Sequence, residues 1–294
     1  MTSSSTCIAP PWWFEIATRR INSGKRGGWA LLKVLQALGL LNRSAAFRLP
    51  DESEIILPLN WPGAQMRDVF EQYEPDALAH FARAIAALPS PAAVIDCGAD
   101  VGVFCRLLLS KVPAEKVDRV LAVEPNDRSF ALLRHNLSGD NRALFFGAVS
   151  DRAGFGRLVA PDYSDGDHAK YLEISDVETD LPVFTIDELG VTPGSAIALK
   201  IDVEGAELDV LRGAAATLRA APGFVVQIEA HPDVAKRTGV DPIEFLRFCN
   251  SIKPCKWRAY VEKTRQSFDI PNLDAPFFTQ LPTDQICDVV IASQ

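Results

Sequence analysis

Four groups of residues have the types and spacing to do chemistry. The first is Asp96, Gly98, Asp100 and Gly102 in the run VIDCGADVGVF. It falls where an apolar strand should turn into a helix. Glycine lets the backbone approach a ligand closely, and ligands of open α/β sheets bind at the carboxyl ends of strands. The glycines are spaced Gly-x-x-x-Gly, not the Gly-x-Gly-x-x-Gly of dinucleotide binders. No Gly-Lys-Ser/Thr follows to hold a triphosphate. An acidic turn with glycines suits a cationic ligand, such as a sulfonium with an amino-acid tail. The bland alternative is a structural turn.

The second group is Glu124 followed by Pro125, closing VLAVEP. An acid at the tip of a second strand can accept hydrogen bonds from both ribose hydroxyls of a nucleoside. Otherwise it is a solvent-exposed strand end. The third is LKIDVEGAELDVLRGA, where Lys200, Asp202, Glu204 and Glu207 crowd the end of a fourth strand. Glu204 and Glu207 also suit a helix start, where acids oppose the dipole. Lys200 sits in an apolar strand, where an unpaired charge is costly, so it should have a carboxylate partner. Asp202 and Glu204 could together hold one divalent ion, although nothing in the sequence requires a metal. The fourth group is Glu229 and His231 in QIEAHP. Histidine takes a proton near neutral pH, but a lone histidine before proline is also a common loop residue.

These groups need a scaffold of alternating strands and helices. Strands are predicted at 93–98, 119–124, 143–150, 195–201 and 224–230, with helices at 102–111, 127–137, 205–220 and 241–252. Apolar strands between amphipathic helices imply a parallel sheet covered on both faces. The fourth strand should lie beside the first and the fifth beside the fourth. Strands at 256–262 and 286–293 lack a helix between them and should pair antiparallel. Residues 151–182 read as a polar loop with possible short strands. Upstream, helices are predicted at 12–21 and 29–41, a hairpin over 47–60 around Pro50, Asp51 and Glu52, and a helix at 75–88. The expected organisation is a helical extension (1–45), a lead-in hairpin and helix (46–92), and one α/β domain (93–294).

Composition supports a folded chain with a sizeable core: 48% of its 294 residues are hydrophobic and 23% charged. The net charge of −8 is unevenly spread. Residues 1–50 carry +6, from seven basic residues against Glu15, so the remainder carries −14. An acidic body is a poor nucleic-acid binder. The basic N-terminus is either a solvated helix face or a contact for an acidic membrane surface or anionic partner. The six cysteines form no Cys-x-x-Cys pair and the four histidines do not cluster with them. A metal-thiolate site or disulfide framework is therefore not expected, and a reducing cytoplasm fits.

Residues 93–214 resemble the FkbM family of S-adenosylmethionine-dependent methyltransferases. The likeness rests on VIDCGADVG, VLAVEPN and, most specifically, LKIDVEGAELDVLRGA, with VFTIDEL at 183–189 in support. YEPDAL at 73–78 resembles the family's lead-in more weakly. The resemblance implies a class I methyltransferase fold, a Rossmann-like sheet of seven strands with the last inserted antiparallel. It implies O-methylation of a small molecule, sugar or glycan, with S-adenosyl-L-methionine as cofactor. By matching positions, Asp96, Gly98, Asp100 and Gly102 would hold the methionine part and Glu124 the ribose. Pro125, Ala148 and Val149 would lie near the nucleoside. Position 100 is usually asparagine in the family, so Asp100 adds a negative charge there. His231 and Asp202 are both candidates for the base that takes a hydroxyl proton, with Lys200 converging on the same rim. An acceptor pocket is expected from 151–182 and 232–285, with Tyr163, His168 and Tyr171 available to meet a sugar. The rival readings are a nucleotide-dependent oxidoreductase and a non-catalytic module that keeps the fold.

Overall fold

The computed structural model describes residues 9–24, 26–65, 69–160, 170–282 and 285–294. Cys7, Lys25, Tyr163 and His168 lie outside the described residues. Two short helices come first, α1 (Trp12–Asn22) and α2 (Gly28–Ala37). Phe14 and Ala17 of α1 and Leu32 and Leu35 of α2 are buried. A Cβ at Gly28 would come 2.8 Å from the Ile21 amide nitrogen, so glycine is what lets the two helices close together. The antiparallel hairpin β1 (Ser44–Arg48) and β2 (Glu54–Pro58) follows, turning where Asp51 accepts from the Ser53 amide at 3.0 Å. Next come α3 (Val69–Gln72) and α4 (Pro75–Ala87), which starts on a proline and buries Phe81 and Ile85.

This N-terminal third lies outside the main sheet, but it is not a loose appendage. Phe14, Leu32, Leu35, Ile55, Leu57 and Phe81 share one hydrophobic cluster with Val94, Phe104 and Leu107 of the main sheet and its first helix. Each such side chain contributes about 1.5–3 kcal/mol on burial, so helices, hairpin and sheet stand or fall together.

The sheet begins with β3 (Ala92–Cys97), buried along its whole length, then α5 (Val103–Leu109), β4 (Val117–Glu124), α6 (Asp127–Asn136) and β5 (Arg142–Phe146). Asn126 caps α6 by accepting from the amides of Arg128 and Ser129. The expected third strand divides at Gly147. Its second part, β6 (Ala148–Val149), leaves the main sheet and pairs parallel with β9 (Leu181–Phe184), after β7 (Gly154–Val159) and β8 (Tyr171–Ser175). A Cβ at Gly147 would lie 2.5 Å from the Phe184 ring and 2.7 Å from the Pro182 carbonyl, so only glycine fits this crossing. The short strands foreseen within 151–182 are β7 and β8, and they belong to a four-stranded sheet ordered β6-β9-β7-β8.

The chain returns through β10 (Ala196–Ile201), α7 (Glu207–Gly213), α8 (Ala215–Ala220), β11 (Phe224–Ala230), α9 (Pro232–Thr238), α10 (Ile243–Ile252), β12 (Cys255–Val261), β13 (Gln266–Phe268) and β14 (Cys287–Ser293). The single helix expected over 205–220 is broken between α7 and α8, and α9 precedes the helix expected at 241–252. The main sheet runs β13-β12-β14-β11-β10-β3-β4-β5. β10 lies parallel between β3 and β11, as the sequence predicts, and β14 runs antiparallel to both of its neighbours. This is the seven-stranded class I methyltransferase order, with the short β13 added at one edge. The order turns back between β3 and β10, which opens a crevice at their carboxyl ends.

Candidate functional site

A cleft of about 270 Å3 opens at that turning point. One half is built from the first two strand tips. Gly98 follows β3 with φ +81, and a Cβ there would collide with the Asp202 carbonyl oxygen, so this floor needs glycine on both counts. Asp100 is also left-handed, at φ 45, a conformation that aspartate and asparagine tolerate better than other side chains. Its amide donates to Glu124 Oε2 at 2.7 Å, and the Asn126 amide donates to Oε1 at 2.7 Å. Glu124 is thereby aimed across the cleft while each oxygen keeps lone-pair capacity for a hydroxyl. Burial raises its pKa to about 8, against the pull of the two backbone amides.

The charge on Asp100 is not left bare. Its carboxylate accepts from the Trp61 indole N–H at 2.8 Å and from the Ser129 hydroxyl at 2.7 Å. Aspartate here ties the lead-in segment to α6 across the cleft floor. Trp61 was not anticipated: the bond joins residues 39 apart. A tryptophan's need for an acceptor was the only signal.

Gly98, Asp100, Glu124, Pro125, Ala148 and Val149 line the cleft. Asp96 and Gly102 do not. Asp96 is fully buried, accepting from the Cys105 thiol at 3.2 Å, while its Oδ1 has no partner. Burial pushes its carboxyl up and Lys200 pulls it down. Gly102 precedes α5 with φ +90, and a Cβ there would press on Leu133 and Leu137 at 3.0–3.3 Å. Both residues shape the turn from beneath, which corrects the expectation that they touch the ligand.

The other half of the cleft is acidic. Lys200, only 4% exposed, binds Asp202 at 2.7 Å, the carboxylate partner its burial demanded. Burial draws the Lys200 ammonium down, but Asp202, Tyr73, Glu74 and Asp96 outweigh it and hold the pKa above its ordinary value. Its Nζ also stands 4.9 Å over the Phe104 ring. Asp202, Glu204 and Glu229 all line this half. Burial, reinforced by neighbouring carboxylates, raises Glu204 to about 7 and Glu229 well above its usual range. Leu158 of β7, Leu172 of β8, Lys170 just before β8, and Tyr73 of the lead-in also line the cleft. Among the described residues no cleft-lining group comes from 232–285, while Trp61 and Tyr73 of the lead-in do line the cleft. Tyr171 packs under Arg237, 4.6 Å from ring to guanidinium carbon, and Arg237 also donates to the Glu204 carbonyl.

His231 departs furthest from expectation. It lines a separate depression with Pro232, Asp233, Lys236 and Lys263. Its Nδ1 accepts from the Asp233 amide at 3.1 Å, so the imidazole caps α9. Burial lowers its pKa further. It does not converge with Lys200 and Asp202, which line the other cleft.

A family model for the methyltransferase FkbM domain matches residues 96–252, more than half of the chain. The chain belongs to the FkbM methyltransferase family. A curated relative, Methyltransferase 1 of Beauveria bassiana (strain ARSEF 2860), is 30% identical over 155 residues, covering 44% of this chain and 61% of that protein. Among solved structures, an FkbM methyltransferase from Methylobacillus flagellatus KT is 16% identical with a TM-score of 0.42, covering 68% of this chain and 43% of the other. TYW2 from M. jannaschii, in complex with AdoMet, is 13% identical with a TM-score of 0.40, covering 85% and 84%. The chain thus spans under two thirds of the length of the curated relative and of the solved FkbM protein.

FkbM membership sets aside the oxidoreductase reading and makes S-adenosylmethionine the cofactor. The residues present fit it. Gly98 gives a floor that a Cβ would fill, and Glu124 offers a two-oxygen acceptor beside it. No helix among the described residues is long and apolar enough to cross a membrane.

Proposed function

We propose that this FkbM methyltransferase methylates a hydroxyl oxygen of a small molecule, sugar or glycan. S-adenosylmethionine supplies a methyl already activated on a sulfonium. The protein's work is then alignment, exclusion of water and removal of one proton. The observation that carries the reading is Asp202. Its side chain is 31% exposed, it lines the cleft beside Gly98, and Lys200 fixes one of its oxygens at 2.7 Å. Asp202 accepts the hydroxyl proton while Lys200 holds its carboxylate in place. Carboxylates around the mouth suit a polyhydroxylated acceptor, since each can take two hydroxyl donors. The five described cysteines are buried and free, which supports a reducing, cytoplasmic setting.

The test is transfer of labelled methyl to a panel of phenols, alcohols and oligosaccharides. Asp202→Asn should lower turnover by about 10²–10⁴-fold while S-adenosylhomocysteine affinity holds within about threefold. Unchanged turnover would remove Asp202 as the base. A methyl found on nitrogen or carbon would overturn the hydroxyl reading, and cofactor binding without turnover on any acceptor would favour a non-catalytic module.

A further inference from the structure

Among the described residues, five of the eight large apolar side chains left exposed belong to the N-terminal helices and the α2 cap: Trp12, Ile16, Trp29, Val34 and Leu38. Trp12 is 72% and Trp29 60% exposed. Both helices already bury an inner face through Phe14, Ala17, Leu32 and Leu35, so these outer residues are surplus to the fold. Trp12 and Ile16 stand one turn apart on α1, and Val34 and Leu38 one turn apart on α2. Arg19, Arg20, Arg26 and Lys33, all exposed, accompany them. A monomeric protein rarely gathers large apolar side chains on one exposed segment without a partner for it.

We propose that this helical pair docks the enzyme on an anionic phospholipid bilayer. Tryptophan favours the headgroup boundary, where its ring is half apolar and half polar. Helices that lie in that plane combine apolar residues with arginine and lysine. Charge selects the lipid surface and orients the molecule. Residues 1–50 carry +6 and the remaining chain −14, so an anionic membrane attracts this face and repels the acidic body. The helices lie on the surface rather than crossing it.

The experiment is co-sedimentation of the full chain with phosphatidylcholine vesicles, with and without phosphatidylglycerol. The protein should pellet with the anionic vesicles, at least tenfold more weakly with the neutral ones, and detach in high salt, because exposed charges are screened. Trp12→Ser with Trp29→Ser should weaken binding by about tenfold. Arg19→Glu with Arg20→Glu should do so by about tenfold or more. S-adenosylhomocysteine affinity in vesicle-free solution should stay unchanged in both, which separates this proposal from the catalytic reading. Failure to pellet with anionic vesicles overturns it, as does pelleting that ignores all four substitutions. A dimer in vesicle-free solution that the tryptophan changes dissociate would show instead that a second copy covers this face.

Discussion

The two halves of the cleft are made from the same material and organised in opposite ways. On the cofactor side, Asp100 and Glu124 each accept two short hydrogen bonds whose donors are fixed in the fold. On the acceptor side, Glu204 and Glu229 are each raised by burial first and then by Asp202, with Lys200 engaged chiefly by Asp202. One half is a finished mould for a constant ligand. The other holds unspent electrostatic tension, which an acceptor with many hydroxyl donors would relieve.

Substitutions can break or sharpen that contrast. The largest effect is expected on the finished side. Glu124→Ala should weaken S-adenosylhomocysteine by about 1–3 kcal/mol, the scale of leaving buried hydrogen-bonding groups unpaired, as measured by calorimetry. An unchanged affinity would mean that Glu124 serves only the Asp100 and Asn126 amides. On the tense side, Glu204→Gln should stabilise the ligand-free protein. A carboxyl raised from 4.5 to about 7 binds its proton more tightly in the folded state than in the unfolded one. Stability is therefore lost as pH climbs from about 4.5 through 7. The variant should match the parent near pH 4.5 and gain on the order of 1 kcal/mol at pH 8 after allowance for solvent screening. Melting curves across that range give the answer, and a gain that is the same at both ends would show that charge is not the cause.

A smaller effect is expected for Trp61→Phe, which keeps the ring and removes one donor from Asp100. It should cost about 1 kcal/mol in urea unfolding, and no loss would mean that the clamp is incidental. Smallest of all, His231→Ala should leave turnover within about twofold and cost at most roughly 1 kcal/mol as a helix cap. A large fall in turnover would restore His231 to the reacting centre.

The finished half was the more legible in sequence. Its turn, its glycines and Glu124 lie within 29 residues, because a strand-to-helix turn is a local structure. The strand order could also be read, since buried parallel strands leave apolar runs and amphipathic helices between them. Trp61 was not legible, because its partner Asp100 is distant in the chain, and YEPDAL marked Tyr73 as part of the lead-in without marking it as a cleft residue. The division of the third strand was marked only by Gly147, whose need for close approach to Phe184 and Pro182 depends on a strand more than thirty residues on. The misplacement of His231 had a readable remedy. Pro232 at the first helical position, Asp233 beside it and Gly239 past the end, left-handed at φ +73, are the ordinary marks of a short helix. Read that way, residue 231 becomes a cap before it becomes a base.

The antiparallel β14 has a consequence for how the chain assembles in time. It lies between β11 and β12, both of which precede it in sequence. While the polypeptide is being made, these two strands have edges that face each other across a vacant lane until residues 287–293 arrive. Bare strand edges recruit other chains, and long-range pairings of this kind form slowly. The nascent protein thus passes through an interval in which its sheet is split and adhesive. Shortening the chain within Cys287–Ser293 should leave both edges bare and the protein prone to aggregation.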